Sequence, residues 1–304
     1  DSEYEYLTFD GESLTQHHMP AITAGYPKYS ADFNLDNRID FITEKGQFLI
    51  SNGTGYIEQN AAVSHWTNTR GRTWVSPFVS DMDGDGDDDY LVGNMGMNNK
   101  FHPSIDKPLH IYANYFDENK SYDTALSKES QGELFPIRGK ECSSQQTPFL
   151  NEKIGTFKEF ANSTLVDVYG EDKIEKALHL EATSFSSYYI KNEGNGNLEF
   201  NELPIETQFA PTLDFEVIDL DHDGKVEILG VGNIFDTEVE TIRYDASKGF
   251  VLSNNNNNLL INKEYLLNLS TAKAIKKIVI KGEVHFIIMN KNDSLRLLRL
   301  KNQT

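Results

Sequence analysis

The sequence predicts an all-β chain of short strands joined by acidic loops, and three observations carry that prediction. Four nine-residue segments repeat one register of alternating oxygen-bearing side chains. Each lies between short β-branched and aromatic runs bounded by turn residues, as in Pro77-Phe78-Val79 before the second segment and Tyr90-Leu91-Val92 after it. Such runs read as strands. The chain then closes on a meander pattern, with runs 276–281, 284–289 and 295–300 separated by turns at Gly282-Glu283 and Asn290 to Asp293.

In chain order the four segments carry Asp32, Asn34, Asp36, Arg38 and Asp40; Asp81, Asp83, Asp85, Asp87 and Asp89; Tyr115, Asp117, Asn119, Ser121 and Asp123; and Asp219, Asp221, Asp223, Lys225 and Glu227. These are positions 1, 3, 5, 7 and 9 of one pattern. Ca²⁺ takes about six to eight oxygens at about 2.3–2.6 Å, and a tight loop supplies them from alternate side chains plus the position-7 carbonyl. The side chain at position 7 is then free to vary, as Arg38, Asp87, Ser121 and Lys225 do. Position 6 must turn sharply, which favours Gly86 and Gly224, with Asn37 next best and Lys120 a poor fit. Tyr115 cannot supply a carboxylate, so the third loop is expected either to stay empty or to recruit Asn114. An EF-hand is excluded, because its position 12 is a bidentate Glu between helices, and here that position is Thr43, Val92 or Gly230. The loops are therefore expected to be metal-clipped β-hairpins.

Loop starts lie 49, 34 and 104 residues apart. The shortest spacing suggests that loops two and three occupy neighbouring strands or compressed repeat units, and the longest must hold an insertion. That insertion reads as partly helical: Ile154, Phe157, Phe160 and Ala161 recur at three and four, and Glu171 to Leu178 adds two turns. The five asparagines from Asn254 to Asn258 read as a loop.

Strand, DxDxDGxxD loop, strand and a glycine-rich hairpin ending in an aromatic together resemble the FG-GAP and VCBS repeats of integrin-like calcium β-propellers. The hairpin stands at Ser51-Asn52-Gly53-Thr54-Gly55-Tyr56 and again from Asn192 to Phe200. The stretches Val92 to Phe101, Gln145 to Leu150, Pro204 to Pro211 and Glu238 to Ala246 look similar to the C-terminal region of large Bacteroidota VCBS-repeat proteins, found beside ASPIC/UnbV domains. The resemblance implies a complete or partial β-propeller over residues 1–304, with a helical insertion at about 150–180. It also implies two to four Ca²⁺ ions and an extracellular or outer-membrane location.

A formal charge of −19 suits a calcium-loaded surface domain, and 16 of the 47 acidic side chains sit in or beside the four loops. Without metal, those clustered carboxylates repel one another. Such acidity argues against nucleic acid as partner, which needs a basic face. One cysteine, Cys142, precludes an intramolecular disulfide, so calcium is expected to take the cross-linking role. No apolar run approaches the roughly 20 residues that span a bilayer. The chain begins with Asp and shows no secretion signal, so a processed or C-terminal piece of a larger protein is expected.

Other constellations are weaker. His17 and His18 are adjacent on a strand and point to opposite faces. His65, Trp66, Arg70, Arg72 and Trp74 could stack on a sugar or simply pack. Glu238, Glu240, Arg243, Tyr244 and Asp245 could line a central face or form an internal ion-pair network. No catalytic motif of the GxSxG, HExxH or P-loop kind occurs. The expected function is a non-enzymatic binding or adhesion module for a glycan or protein partner at the cell surface, in the manner of an accessory to an outer-membrane nutrient-uptake complex. Two alternatives stand behind it: a carbohydrate-active propeller enzyme, lyase or hydrolase, and a structural domain of a large surface protein.

Overall fold

The computed structural model describes residues 4–9, 14–19, 27–31, 38–43, 48–51, 56–59, 78–117, 119–194, 198–237, 241–255, 258–262, 267 and 270–299. It is mostly β, with 43% strand against 15% helix, in several antiparallel sheets, none of which closes into a barrel among the described residues. The chain divides into two compact units, the first from Asp1–Ser64, Gly71–Lys100 and Ser186–Thr304, the second from His65–Arg70 and Phe101–Phe185.

Three sheets of the first unit share one plan. Strands β3 (Pro27–Ala31), β4 (Asp40–Thr43), β5 (Phe48–Ser51) and β6 (Tyr56–Gln59) pair in chain order. So do β7 (Phe78–Ser80), β8 (Asp89–Val92), β13 (Tyr188–Asn192) and β14 (Leu198–Glu202), and likewise β15 (Thr212–Ile218), β16 (Glu227–Gly232), β17 (Phe250–Asn255) and β18 (Asn258–Asn262). The Asp-rich loop always joins the first strand to the second. Strands β19 (Ala272–Ile280), β20 (Glu283–Asn290) and β21 (Arg296–Arg299) form a three-stranded meander, and β1 (Tyr4–Phe9) pairs with β2 (Leu14–Met19).

Second strands are apolar because they lie in the middle of each sheet: all four residues of β8 and all six of β16 are buried. Leu91, Phe215, Ile228, Phe250 and Leu252 belong to one core cluster, and Leu229, Val251, Ile275, Phe286 and Ile288 to another. Fully burying a side chain of this size stabilises by about 1.5–3 kcal/mol. Where β15 meets the closing meander, two acids finish the contact, Asp214 accepting from the Ile275 N–H at 2.9 Å and Glu216 from the Lys277 N–H at 2.8 Å.

The second unit interrupts the sheet of β7 and β8. Its own sheet runs β11 (Glu133–Pro136), β10 (Asp123–Ser130), β9 (Leu109–Asn114), β12 (Leu178–Ala182). Five short helices follow β11: α1 (Lys140–Gln146), α2 (Leu150–Lys153), α3 (Phe157–Ala161), α4 (Leu165–Tyr169) and α5 (Glu171–Glu175). The helical stretch thus begins earlier than the 150–180 expectation, and it ends where β12 takes over. The aromatic stripe expected over 152–161 is broken between α2 and α3. Ile154 and Phe160 are buried against Leu165 and Val168, whereas Phe157 is exposed beneath the Lys140 ammonium. A capping box of Thr164 and Asp167 starts α4. Of the asparagine run, Asn254 and Asn255 end β17 and Asn258 begins β18, with Asn255 pairing with Asn258. No helix among the described residues is long and apolar enough to cross a membrane.

Candidate metal centres

The loop at Asp81 is held by its own carboxylates. Asp81 accepts the Gly84 and Gly86 N–H groups at 2.7 and 3.1 Å, Asp83 accepts that of Asp85 at 3.2 Å, and Asp85 that of Asp87 at 3.0 Å. Such side chain to backbone turns are what Asp offers a tight loop. Gly84 and Gly86 adopt φ of +82° and +100°, and nothing stands within 4 Å of where a Cβ would be. Their requirement is conformational, not steric.

Position 9 does different work. Asp89 is fully buried, and both its oxygens are taken: Oδ2 by the Met82 N–H at 3.1 Å and the Tyr189 hydroxyl at 2.9 Å, Oδ1 by the Asn192 N–H at 2.9 Å. It ties the loop to its own second residue and to the end of the third strand. The ties recur in register. Phe41, Tyr90 and Ile228, each following position 9, pair with Leu49, Ile190 and Leu252. Two residues beyond those partners stand Ser51, Asn192 and Asn254, and Ser51 donates its N–H to Asp40 at 2.6 Å, as Asn192 does to Asp89. In the fourth loop the Leu220 N–H donates to Glu227 at 2.8 Å, as Met82 does to Asp89.

The carboxylates of Asp81, Asp83 and Asp85 converge, with one oxygen of each lying within 4.8 Å of the others, and those of Asp219, Asp221 and Glu227 do the same. Asp87, Asp89, Asp223 and Lys225 stand outside these groups. The longer Glu227 side chain keeps its backbone tie and still reaches the cluster; Asp89 does not. At the fourth loop Asp219 Oδ2 accepts the Gly224 N–H at 3.0 Å, while Oδ1 is shielded from solvent and accepts no hydrogen bond from the described residues. His222 and Gly224 take φ of +64° and +87° there, matching Gly84 and Gly86.

A lysine also enters the second loop, which the sequence pattern did not reveal. The Lys191 ammonium lies 3.1 Å from Asp83 and 2.5 Å from Glu193. These two partners, Glu193 first, push its pKa up. The position matching Lys191 in the fourth loop's sheet is Ser253. Burial raises the Asp89 carboxyl to about 6, against the pull of its hydrogen bonds from Asn192, Tyr189 and Met82. Burial likewise raises Glu227, with the neighbouring Asp221, Asp223 and Asp219 adding to the effect. Asp87 is raised by desolvation and then by the surrounding acids, Asp85 first.

The third loop lies in the second unit's sheet, between β9 and β10, not in a neighbouring strand pair of the second loop's sheet. Non-local pairing of β8 with β13 explains the short spacing, since the chain leaves one sheet before the third loop is made. Asp117 and Asn119 accept the N–H groups of Asn119 and Ser121, and Lys120 takes φ +64°, the left-handed turn of position 6. Asn114 turns away to donate to the Lys173 carbonyl at 2.8 Å. Tyr115 is exposed, its ring edge-on to Tyr122. Asp123 is buried, and its Oδ2 has no hydrogen-bond partner among the described residues.

In the first loop Arg38 is exposed and Asp40 buried, while Asp32, Asn34 and Asp36 lie outside the described residues. So do His65, Trp66, Arg70, Arg72, Trp74, Glu238 and Glu240. Arg243 lies over the Phe235 ring, and Tyr244 is buried in a bridge to Ile234. Two stretches singled out by resemblance clasp each other: Met97 and Asn98 donate N–H groups to the Gln208 carbonyl, and the Gln208 side chain pairs with the Ser187 backbone and the Leu203 carbonyl. No protein-family model matches the chain, and no curated protein matches it.

Proposed function

We propose that the loops at Asp81 and Asp219 each hold a Ca²⁺ ion, with the loop at Asp32 joining them by register, and that the chain is a non-enzymatic, calcium-stabilised binding module of FG-GAP/VCBS type. The observation that carries the reading is Asp219 Oδ1. A carboxyl oxygen hidden from water, without a donor among the described residues and beside Asp221 and Glu227, is a costly arrangement that a bound cation relieves. The oxygen-only ligand sets suit a hard ion. The repeated position-9 tie makes the loops copies of one unit.

The same repetition supports a propeller of blades. Three sheets pair in chain order, each with its loop between first and second strands, and β15 lies against both β7 and β19. On this reading the rims of the blades present a surface to a glycan or protein partner, outside the cell or on an outer membrane.

Calorimetric titration of chelator-treated protein with CaCl₂ tests the metal. We expect at least two sites with Kd on the order of 10⁻⁴ to 10⁻³ M. Asp219→Ala should remove one of them and leave the other. A chain that takes up no Ca²⁺ at millimolar concentration overturns the proposal. A glycan array probed with and without Ca²⁺ then tests the binding role.

A further inference from the structure

We propose that His110, His179 and Glu181 form a second kind of metal site, for a borderline divalent transition ion, Zn²⁺ foremost, on one face of the second unit's sheet. Strands β9 and β12 run antiparallel, with Glu181 opposite His110 and His179 opposite Tyr112. Side chains two apart on a strand share a face, so this register gathers both imidazoles and the carboxylate into one patch.

The distances fit an ion. His110 Nδ1 lies 3.0 Å from His179 Nε2 and 3.4 Å from Glu181 Oε1, and His179 Nε2 lies 3.8 Å from the same oxygen. A tetrahedral ion with ligand bonds of about 2.0–2.1 Å sets its ligand atoms about 3.3 Å apart. The triangle brackets that spacing. Two imidazole nitrogens and a carboxylate select Zn²⁺ and its transition-metal neighbours, whereas Ca²⁺ prefers the all-oxygen loops of the first unit.

The surroundings hold the imidazoles ready. The Tyr112 ring stacks on His179 at 4.2 Å and 5°, fixing its plane. His110 is buried, and its Nε2 has no hydrogen-bond partner among the described residues. With Nδ1 on a metal, the imidazole proton sits on that Nε2. The residue opposite His110 on the other side, on β10, is Ser127, whose buried hydroxyl likewise has no partner among the described residues. The side chains of His179 and Glu181 are 38% and 39% exposed, so a water can complete the coordination.

The competing arrangement has no ion: His110 Nδ1–H donates to His179 Nε2 in an ordinary hydrogen bond. Metal titration separates the two. Chelator-treated protein, first saturated with Ca²⁺ to fill the acidic loops, is titrated with ZnCl₂ and, in parallel, with CoCl₂. We expect one Zn²⁺ equivalent that excess Ca²⁺ does not displace, and the visible absorption of tetrahedral Co²⁺. His179→Ala and Glu181→Gln should each weaken binding by at least about tenfold, with the melting temperature of the metal-free variants unchanged. His222→Ala, altered in the Asp219 loop, should bind as the parent does. Absence of the equivalent, its displacement by Ca²⁺, or its survival in His179→Ala overturns the site. Because Ca²⁺ uptake is measured separately, failure here leaves the acidic-loop reading untouched.

Discussion

Asp89 has no exposed surface and accepts three hydrogen bonds, so removing it strands three donors at once. Asp89→Ala is expected to destabilise by about 2–4 kcal/mol in urea denaturation, with or without Ca²⁺. Its titration also has a definite sign. The folded pKa, about 6, lies above the ordinary aspartate value of 3.8, so the folded state holds the proton through that window. Metal-free protein should therefore lose stability as pH rises from about 4 to about 6, by at most about 3 kcal/mol from this group. Saturating Ca²⁺ should flatten or reverse that slope, which thermal melts across the range will read. Lys191 supplies a further contrast. Its charge competes with a divalent ion at Asp83, so Lys191→Gln should tighten Ca²⁺ at the Asp81 loop by roughly fivefold and leave the Asp219 loop unchanged. The acids themselves were legible as a repeat because their spacing is local. Lys191 and the His110 cluster were not, because they reach their partners from strands about 70 to 110 residues away. Within β12, His179 and Glu181 at i and i+2 were the one local hint.

Elements differ in what they ask of a glycine. Gly86 turns with φ +100° in open space, whereas Gly96 turns with φ +79° and would push a Cβ to 2.5 Å from the Gln208 carbonyl oxygen and 2.9 Å from that of Ala210. Gly86→Ala should cost about 1 kcal/mol, the strain of a left-handed residue. Gly96→Ala should cost at least twice as much, because backbone carbonyls cannot step aside as a flexible side chain can. Chemical denaturation of the two variants checks the ratio. Strands and the closing meander were readable from alternation and turn residues. The β19–β20 turn is shifted by one residue to Lys281-Gly282, both at positive φ as a tight two-residue hairpin requires. Helices were less readable: 152–161 has the spacing of one helix, but α2 ends at Lys153 and the chain passes through extended Ile154 before Thr156 caps α3.

For the whole molecule, each ion that binds only the folded state adds stability by mass action, about 2.7 kcal/mol at a hundredfold excess over Kd. Adding EDTA should then lower the melting temperature by several degrees, and equal melts with and without chelator would count against calcium. Within the first unit, the segments that flank residues 101–185 lie side by side, since Val92 pairs with Tyr188 and Ser186 Oγ lies 3.3 Å from Met97 Sδ. Replacing 101–185 with a short Gly/Ser linker should leave the first unit folded and its Ca²⁺ uptake intact. Sequence alone placed an insertion but not its borders, because nothing local marks where β8 waits for β13. That wait has a consequence for biosynthesis. The donor that seals Asp89 is encoded 103 residues downstream, so at about 5–20 residues per second a ribosome needs roughly 5–20 seconds to deliver it. During that interval β8 presents a bare, apolar edge to the cell, and the intervening unit has time to fold first. Nascent chains stalled before residue 188 should accordingly be the stage at which this protein is most prone to mispair with its neighbours.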